Sequence, residues 1–414
     1  MAKRYADLIA AIDRDRSTAA ARQSPSHYRF VQEGSAKALE GFDILYRILR
    51  SLCDEAENTK GLARWDNVMH SQIFKALQDL SGLLPEVISP QIDPDLYFFL
   101  EEVRSDFGIE KMLSLRAETA YVTKRFQDYV PAFEIPSKLN LENRASLLEK
   151  LDDLNLAVIE LPRTEADNAL AWTLLVHECL HVAVLVDKVL RDFPAGFKNA
   201  VAARKRQEVV IDLLAAEYMG PVYCLMIARM PEKIGRHEGL EHPSAAARNR
   251  YLGAAIKWCD DHVTADTKRN QATTRIINDV TRRVLKELTG MLGAEPLSAE
   301  DAAIVDFVES NINSIQAAIA EAFIANKTPI WYEEIERSIS ASSLKGKSSQ
   351  ELSEKLDRLV RKGGVLPTIR PSALYNIVLL MSESEEGGAL KDPMLTAFRK
   401  WAVRKAYKAP TLTT

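Results

Sequence analysis

Cysteine is scarce in this chain and never closely paired: Cys53, Cys179, Cys224 and Cys259 are scattered through 414 residues. That excludes a disulfide framework and fits reduced thiols in the interior of a cytosolic protein. Charge of one sign is also missing. The 54 basic residues stand against 58 acidic ones, a formal net charge of -4, so no broad basic field marks nucleic acid as the partner. No apolar run reaches bilayer-spanning length, and Met1 to Asp7 mixes acidic and basic residues where a secretory signal would be apolar. The expectation is a cytoplasmic chain without a membrane partner. There is no internal repeat and no glycine loop of the kind that cradles phosphate. What remains is ordinary globular composition, 47% hydrophobic and 27% charged, in a chain long enough for two or three domains with a large core.

Helical periodicity dominates. Amphipathic stretches run over 35–57, 62–84 and 95–107, with a breaker-rich loop over 84–94. Met112 to Arg116, Ala120 to Val122 and Leu156 to Glu160 are β-rich and predict a small sheet. Helices are expected over 143–154, 165–190, 200–230 with a kink at Gly220-Pro221, 243–260, 266–292 and 298–326. A Ser, Lys and Gly linker follows at 340–349, then helices over 351–362 and 393–408 and a frayed tail. The fold class is therefore mainly α with a small β-sheet. Three regions follow in chain order: a helical N-terminal region over 1–108, a core over 109–262 and a helical C-terminal region over 263–414.

The core carries His177-Glu178-Cys179-Leu180-His181. At 3.6 residues per turn the two histidines differ by about 40° around the helix, so both rings reach one metal from one side. Glu178 lies about 100° from His177, close enough to meet a water on the metal's open position, while Cys179 points away. From Ala171 to Val186 the helix is apolar except at Thr173, His177, Glu178 and His181, the pattern of a buried helix. Three buried polar groups on such a helix need a partner, and a zinc ion with its water supplies one. The plainer account is a core helix whose histidines bond to carbonyls and whose glutamate sits in an internal ion pair.

A catalytic zinc takes three protein ligands. A glycine-broken helix bringing a third ligand back is excluded, because Val184 stands at the glycine position and the run from Val182 to Val186 has no breaker. Asp187 is expected to ride the helix away from the metal. Farther on, Glu208 and Asp212 share one face of an apolar helix over Val209 to Ala216, and two buried carboxylates on one face repel unless a cation or donor lies between them. The preferred assignment makes Glu208 the third ligand and Asp212 the acceptor for the outer ring N–H of a ligating histidine. Asp212 and Glu217 stand as alternative ligands, and ion pairs with Arg204 or Arg206 are the plainer account of the carboxylates.

The HExxH and downstream ExxxD together resemble the gluzincin metallopeptidases over roughly Leu156 to Asp212. The link from His181 to Glu208 is longer than in the thermolysin pattern, and Gln207 replaces the Asn that often precedes the ligand glutamate. The resemblance implies an α+β zincin-like core, Zn2+ on His177, His181 and Glu208, Glu178 as general base and Asp212 as orienter. The implied activity is zinc-dependent hydrolysis of a protein or peptide. Asn155 to Pro162, or a neighbouring strand, is a candidate edge for holding an extended peptide, and an ordinary supporting strand is the other account. His242, ahead of a helix with Pro243 in its first turn, is the candidate donor to the oxyanion, with Arg248 and Tyr251 as alternatives. His27, His70, His237 and His262 have no ligand spacing. A helical regulatory or interaction protein with a structural or vestigial metal site is the alternative from a different class.

Overall fold

The computed structural model describes residues 9–14, 29–58, 71–78, 94–118, 121–125, 153–163, 171–229, 242–269, 271–291 and 296–340, with a few residues between 146 and 150 and between 370 and 376. The loop expected over 84–94, most of the helix over 143–154, the linker after Ser340 and all that was expected beyond it lie outside these residues, as do His27, His70 and His237. The described chain is mainly α with one small sheet. Among the described residues no helix is long and apolar enough to cross a membrane.

The chain packs as two compact units, Met1–Asp93 with Glu110–Arg163 and Pro94–Ile109 with Thr164–Thr414. The units interleave along the chain, whereas the regions drawn from the sequence are consecutive.

In the first unit, helix α1 (Arg29–Asn58) buries Phe42, Leu45, Ile48 and Leu49. Their spacing of three and four residues places them on one stripe, and α1 packs on strands β1 (Met112–Glu118) and β3 (Leu156–Pro162). β3 is the middle strand, parallel to β1 in the register Met112↔Leu156 to Glu118↔Pro162 and antiparallel to β2 (Val122–Arg125) from Val122↔Glu160 to Arg125↔Ala157. All seven β3 residues are buried, which explains why this strand reads as an apolar run interrupted only by Glu160. Its main chain is bonded on both sides. β3 is thus the ordinary supporting strand, and not the open edge onto which an extended peptide would add.

The second unit is helical. It holds α2 (Pro94–Asp106), α3 (Leu174–Leu180), α4 (Val184–Asp192), α5 (Phe197–Ala200), α6 (Ala203–Met219), α7 (Pro221–Arg229), α8 (Ala245–Ala265), α9 (Gln271–Met291), α10 (Ala299–Asn326) and α11 (Trp331–Ser340). α6 is central. From Val209 to Met219 it is buried on every side, and α3, α4, α7, α8 and α11 all pack against it, as expected of a stretch apolar on every side except at Asp212 and Glu217.

Two helix breaks set the site. The first corrects the expectation of one unbroken helix over 165–190. α3 stops at Leu180, the amides of Val182 and Ala183 close i→i−3 turns on Cys179 and Leu180, and Ala183 is extended at φ -87° and ψ 126° before α4 begins. No glycine or proline is needed, because Val182 and Val184 are β-branched with weak helix preference. Packing of α4 on α6 and α10 then decides the direction. Asp187 is exposed on α4, so it stays off the site by this turn and not by riding a straight helix.

The second break is the expected one at Gly220-Pro221. Gly220 sits at φ 75°, where L side chains are strained, and a Cβ there would lie 2.6 Å from the Trp331 ring. Pro221 opens α7, where its missing N–H costs no helical bond. The Asn376 side chain satisfies the loose ends, donating to the Met219 carbonyl at 2.6 Å and accepting from the Val222 amide at 3.2 Å. The break folds α7 back so that Tyr223 meets Asp212 of α6.

Candidate metal centre

His177 lies in the last turn of α3 and His181 caps it, still at helical angles of φ -57° and ψ -20°. The i, i+4 relation therefore survives the break that follows. The ring centroids are 5.0 Å apart and the planes stand at 77°. α6 brings Glu208 across from the other side. His177 Nε2 is 3.2 Å from Glu208 Oε2, His181 Nε2 is 3.6 Å from Oε1, and one ligand atom from each residue falls within 4.8 Å of the others. Two donors each about 2.0–2.2 Å from one tetrahedral ion stand roughly 3.4 Å apart, and the two imidazole-to-carboxylate distances, each to a different Glu208 oxygen, are near that value. The His177 side chain is 2% exposed and that of His181 23%, so the cluster opens on the His181 side.

Behind His177 lies Asp212, fully buried. His177 Nδ1 is 2.8 Å from its Oδ1. Tyr223 donates to Oδ1 at 2.7 Å, Tyr251 donates to Oδ2, and Arg248 Nε stands 2.9 Å from Oδ2. Burial works against the charged carboxylate, but Arg248 and the bond with His177 prevail and hold Asp212 down at about 2. An ionised Asp212 keeps the proton on Nδ1 and leaves the Nε2 lone pair free for a cation. Burial likewise opposes charge on His177, yet its contacts with Asp212 and Glu208 raise it to about 10 when a proton rather than a cation neutralises the pair. Glu208 is held well below the usual carboxylate range, with burial opposed by His177 and His242.

The residues fit a divalent cation. His177 Nε2 is buried without a hydrogen-bond partner and faces the cluster, an arrangement that polar atoms in a native interior avoid unless something else binds them. Two imidazoles and a carboxylate are also the donor set of a three-ligand zinc site with a position left over.

The other named residues fall as follows. Glu178 is buried on α3, where its charge bears on His181 and Cys179. His242 precedes α8, is partly exposed, and holds Nδ1 2.8 Å from Glu208 Oε2. α8 starts after an N-cap at Ser244, which accepts from the Ala247 amide, so Pro243 lies before the helix and not in its first turn. Arg248 and Tyr251, alternatives for an oxyanion donor, are buried and directed at Asp212, away from the open side. Arg206 donates to the carbonyls of Val201 and Lys198, so it does not serve as the partner of the two acids. Cys179 is fully buried, and burial pushes its thiol well up. His262 is exposed and stacks on Trp258. Nothing local in the sequence marks Tyr223, since only the Gly220 break turns it toward Asp212.

Glu217 is not part of the cluster. Nine residues along α6 place it about 180° from Glu208, and burial together with the Glu333 carboxylate raises it to about 8. A group whose folded pKa exceeds its unfolded value stabilises fully below the unfolded value, near 4.5, and loses that contribution as pH rises through about 8. Glu217→Gln should therefore match the wild type near pH 5 and exceed it near pH 9 by on the order of a few kcal/mol. Urea denaturation at both pH values checks this, and a variant equally weakened at both would show that the neutral acid is not the relevant form.

No protein family, curated protein or solved structure matches this chain.

Proposed function

We propose that this chain is a cytoplasmic zinc-dependent hydrolase, of the metallopeptidase class, acting on a protein or peptide. The observation that carries the reading is the convergence of His177, His181 and Glu208, with the buried Nε2 of His177 making no hydrogen bond although it stands 3.2 Å from Glu208 Oε2. A zinc ion held by those three side chains would supply Lewis acidity and lower the pKa of a water at its remaining position. Glu178, beside the first ligand, takes a proton from the attacking water and returns it to the leaving amine. Asp212 fixes the His177 tautomer, with Tyr223, Tyr251 and Arg248 fixing Asp212 in turn. His242, at the rim beside Glu208, donates to the carbonyl oxygen as negative charge develops there. The preference for an amide rests on the resemblance of HExxH with ExxxD to gluzincins. The cytoplasmic assignment rests on the free, buried Cys179, Cys224 and Cys259.

The test is metal content. Protein incubated with zinc and dialysed should keep about one zinc per chain, whereas His181→Ala and Glu208→Ala should each lose it. Elemental analysis decides: a wild type that keeps none, or alanine variants that keep as much, would refute the site. A chain that binds zinc but loses no hydrolysis on chelation would be the helical scaffold with a structural site.

A further inference from the structure

The break between α6 and α7 is held by a side chain from far along the chain. A helix running through it would bond the Tyr223 amide to the Met219 carbonyl and the Val222 amide to the Tyr218 carbonyl. Instead the Tyr223 amide turns to the Gly220 carbonyl at 3.1 Å, which leaves the Met219 carbonyl and the Val222 amide in need of another partner. Asn376, 154 residues beyond Val222, serves both. Its Nδ2 donates to the Met219 carbonyl at 2.6 Å and its Oδ1 accepts from the Val222 amide at 3.2 Å. The side chain is fully buried, and a Cβ on Gly220 would lie 2.9 Å from its Nδ2. Arg370 and Tyr375 anchor this part of the chain. Arg370 stands 2.5 Å from Asp106 Oδ1 and within ion-pair reach of Glu102 and Glu334, and the Tyr375 ring meets Phe99 edge-on with centroids 6.0 Å apart.

Tyr223 follows Val222 directly. Its hydroxyl donates to Asp212 Oδ1 at 2.7 Å and lies 3.1 Å from His177 Nδ1, and Oδ1 is itself 2.8 Å from that nitrogen. One hydroxyl thus meets both members of the pair that decides which His177 nitrogen keeps the proton. Contacts of this length are lost once the oxygen moves by about 1 Å, so the direction in which α7 leaves the break matters to the centre. We propose that Asn376 is a positioning residue of the metal centre, which fixes the α6–α7 break and through it the Tyr223 hydroxyl on Asp212 and His177. This rests on the metal reading of the cluster. A primary amide suits the role because it carries a donor and an acceptor on one planar group, matching one orphan carbonyl and one orphan N–H. The centre then includes a segment of the chain well outside the 109–262 core that holds its ligands.

The test is a double-variant cycle on zinc affinity, measured by competition with a chromophoric chelator on full-length folded protein. Asn376→Leu, which keeps the volume and removes both hydrogen bonds, and Tyr223→Phe should each weaken zinc binding by about 10-fold, the lower end for partners outside the ligand shell. The double variant should also lose about 10-fold, because both changes act through one hydroxyl, whereas independent effects would multiply to about 100-fold. That larger loss overturns the proposal while leaving the metal site standing. An Asn376→Leu protein that unfolds at lower urea but binds zinc as the wild type does overturns it equally, since a merely structural role predicts that result. Tyr223→Phe provides an arm that needs no change at Asn376: wild-type zinc affinity there breaks the connection from Asn376 to the centre and overturns the proposal. A wild type that retains no zinc overturns the functional reading and the proposal together.

Discussion

Glu178→Gln is expected to fold, to keep its zinc at the wild-type level, and to lose hydrolysis by about 10²–10⁴-fold, the range that a positioned general base contributes. The amide has nearly the shape of the carboxylate, and none of the three cluster atoms belongs to residue 178, so affinity for the metal should hardly move. What the amide cannot do is accept the proton of the attacking water. His242→Ala is the contrast. It removes one donor to the carbonyl oxygen and one contact of Glu208 Oε2, a loss of roughly 10²–10³-fold, so Glu178→Gln should be the more damaging of the two. Single-turnover assays on a cleaved peptide, with zinc content measured in parallel, separate chemistry from metal loss. Full turnover by Glu178→Gln would remove the hydrolytic mechanism and favour a metal-bearing scaffold.

Much of the site was legible because its chemistry is local. His177 and His181 share a turn, and Glu208 and Asp212 share another, so two short windows with helical spacing hold four of its residues. A single periodicity argument also found the small sheet and most helices. What the sequence hides is the direction the chain takes between windows. Val182 and Val184 contain no breaker, yet packing of α4 on α6 and α10 ends the motif helix at Leu180, with His181 as its cap. Leu156–Pro162 is apolar apart from Glu160, a pattern shared by buried strands at any place in a sheet, and only pairing with both β1 and β2 shows it to be the middle one. Arg248 and Tyr251 were visible as polar groups near a candidate site, but whether they face substrate or the acid behind His177 depends on how α8 crosses α6. The same holds for Tyr223, which lies 46 residues from His177 in sequence and 3.1 Å from its ring nitrogen.

Asp212→Ala should be costly in two separable ways. The carboxylate is fully buried and is approached by Tyr223, Tyr251, Arg248 and His177 at once. Its removal takes the nearer carboxylate from the buried Arg248 guanidinium, leaving the longer contact to Glu208, and breaking a buried ion pair from one side destabilises by about 3–5 kcal/mol. It also frees the His177 tautomer, so zinc affinity should fall by about 10 to 100-fold. Glu208→Ala should instead lose the metal outright, because it removes a donor and not an orienter. The pH dependence has a definite sign. Asp212 is depressed from 3.8 to about 2, so its contribution to stability is present above 3.8 and lost as pH falls toward 2. Urea denaturation from neutral pH down through that window should show a slope in the wild type that Asp212→Ala lacks. Zinc competition at pH 7 then ranks the two acids. If Asp212→Ala loses the metal and Glu208→Ala keeps it, the ligand and the orienter exchange places along α6.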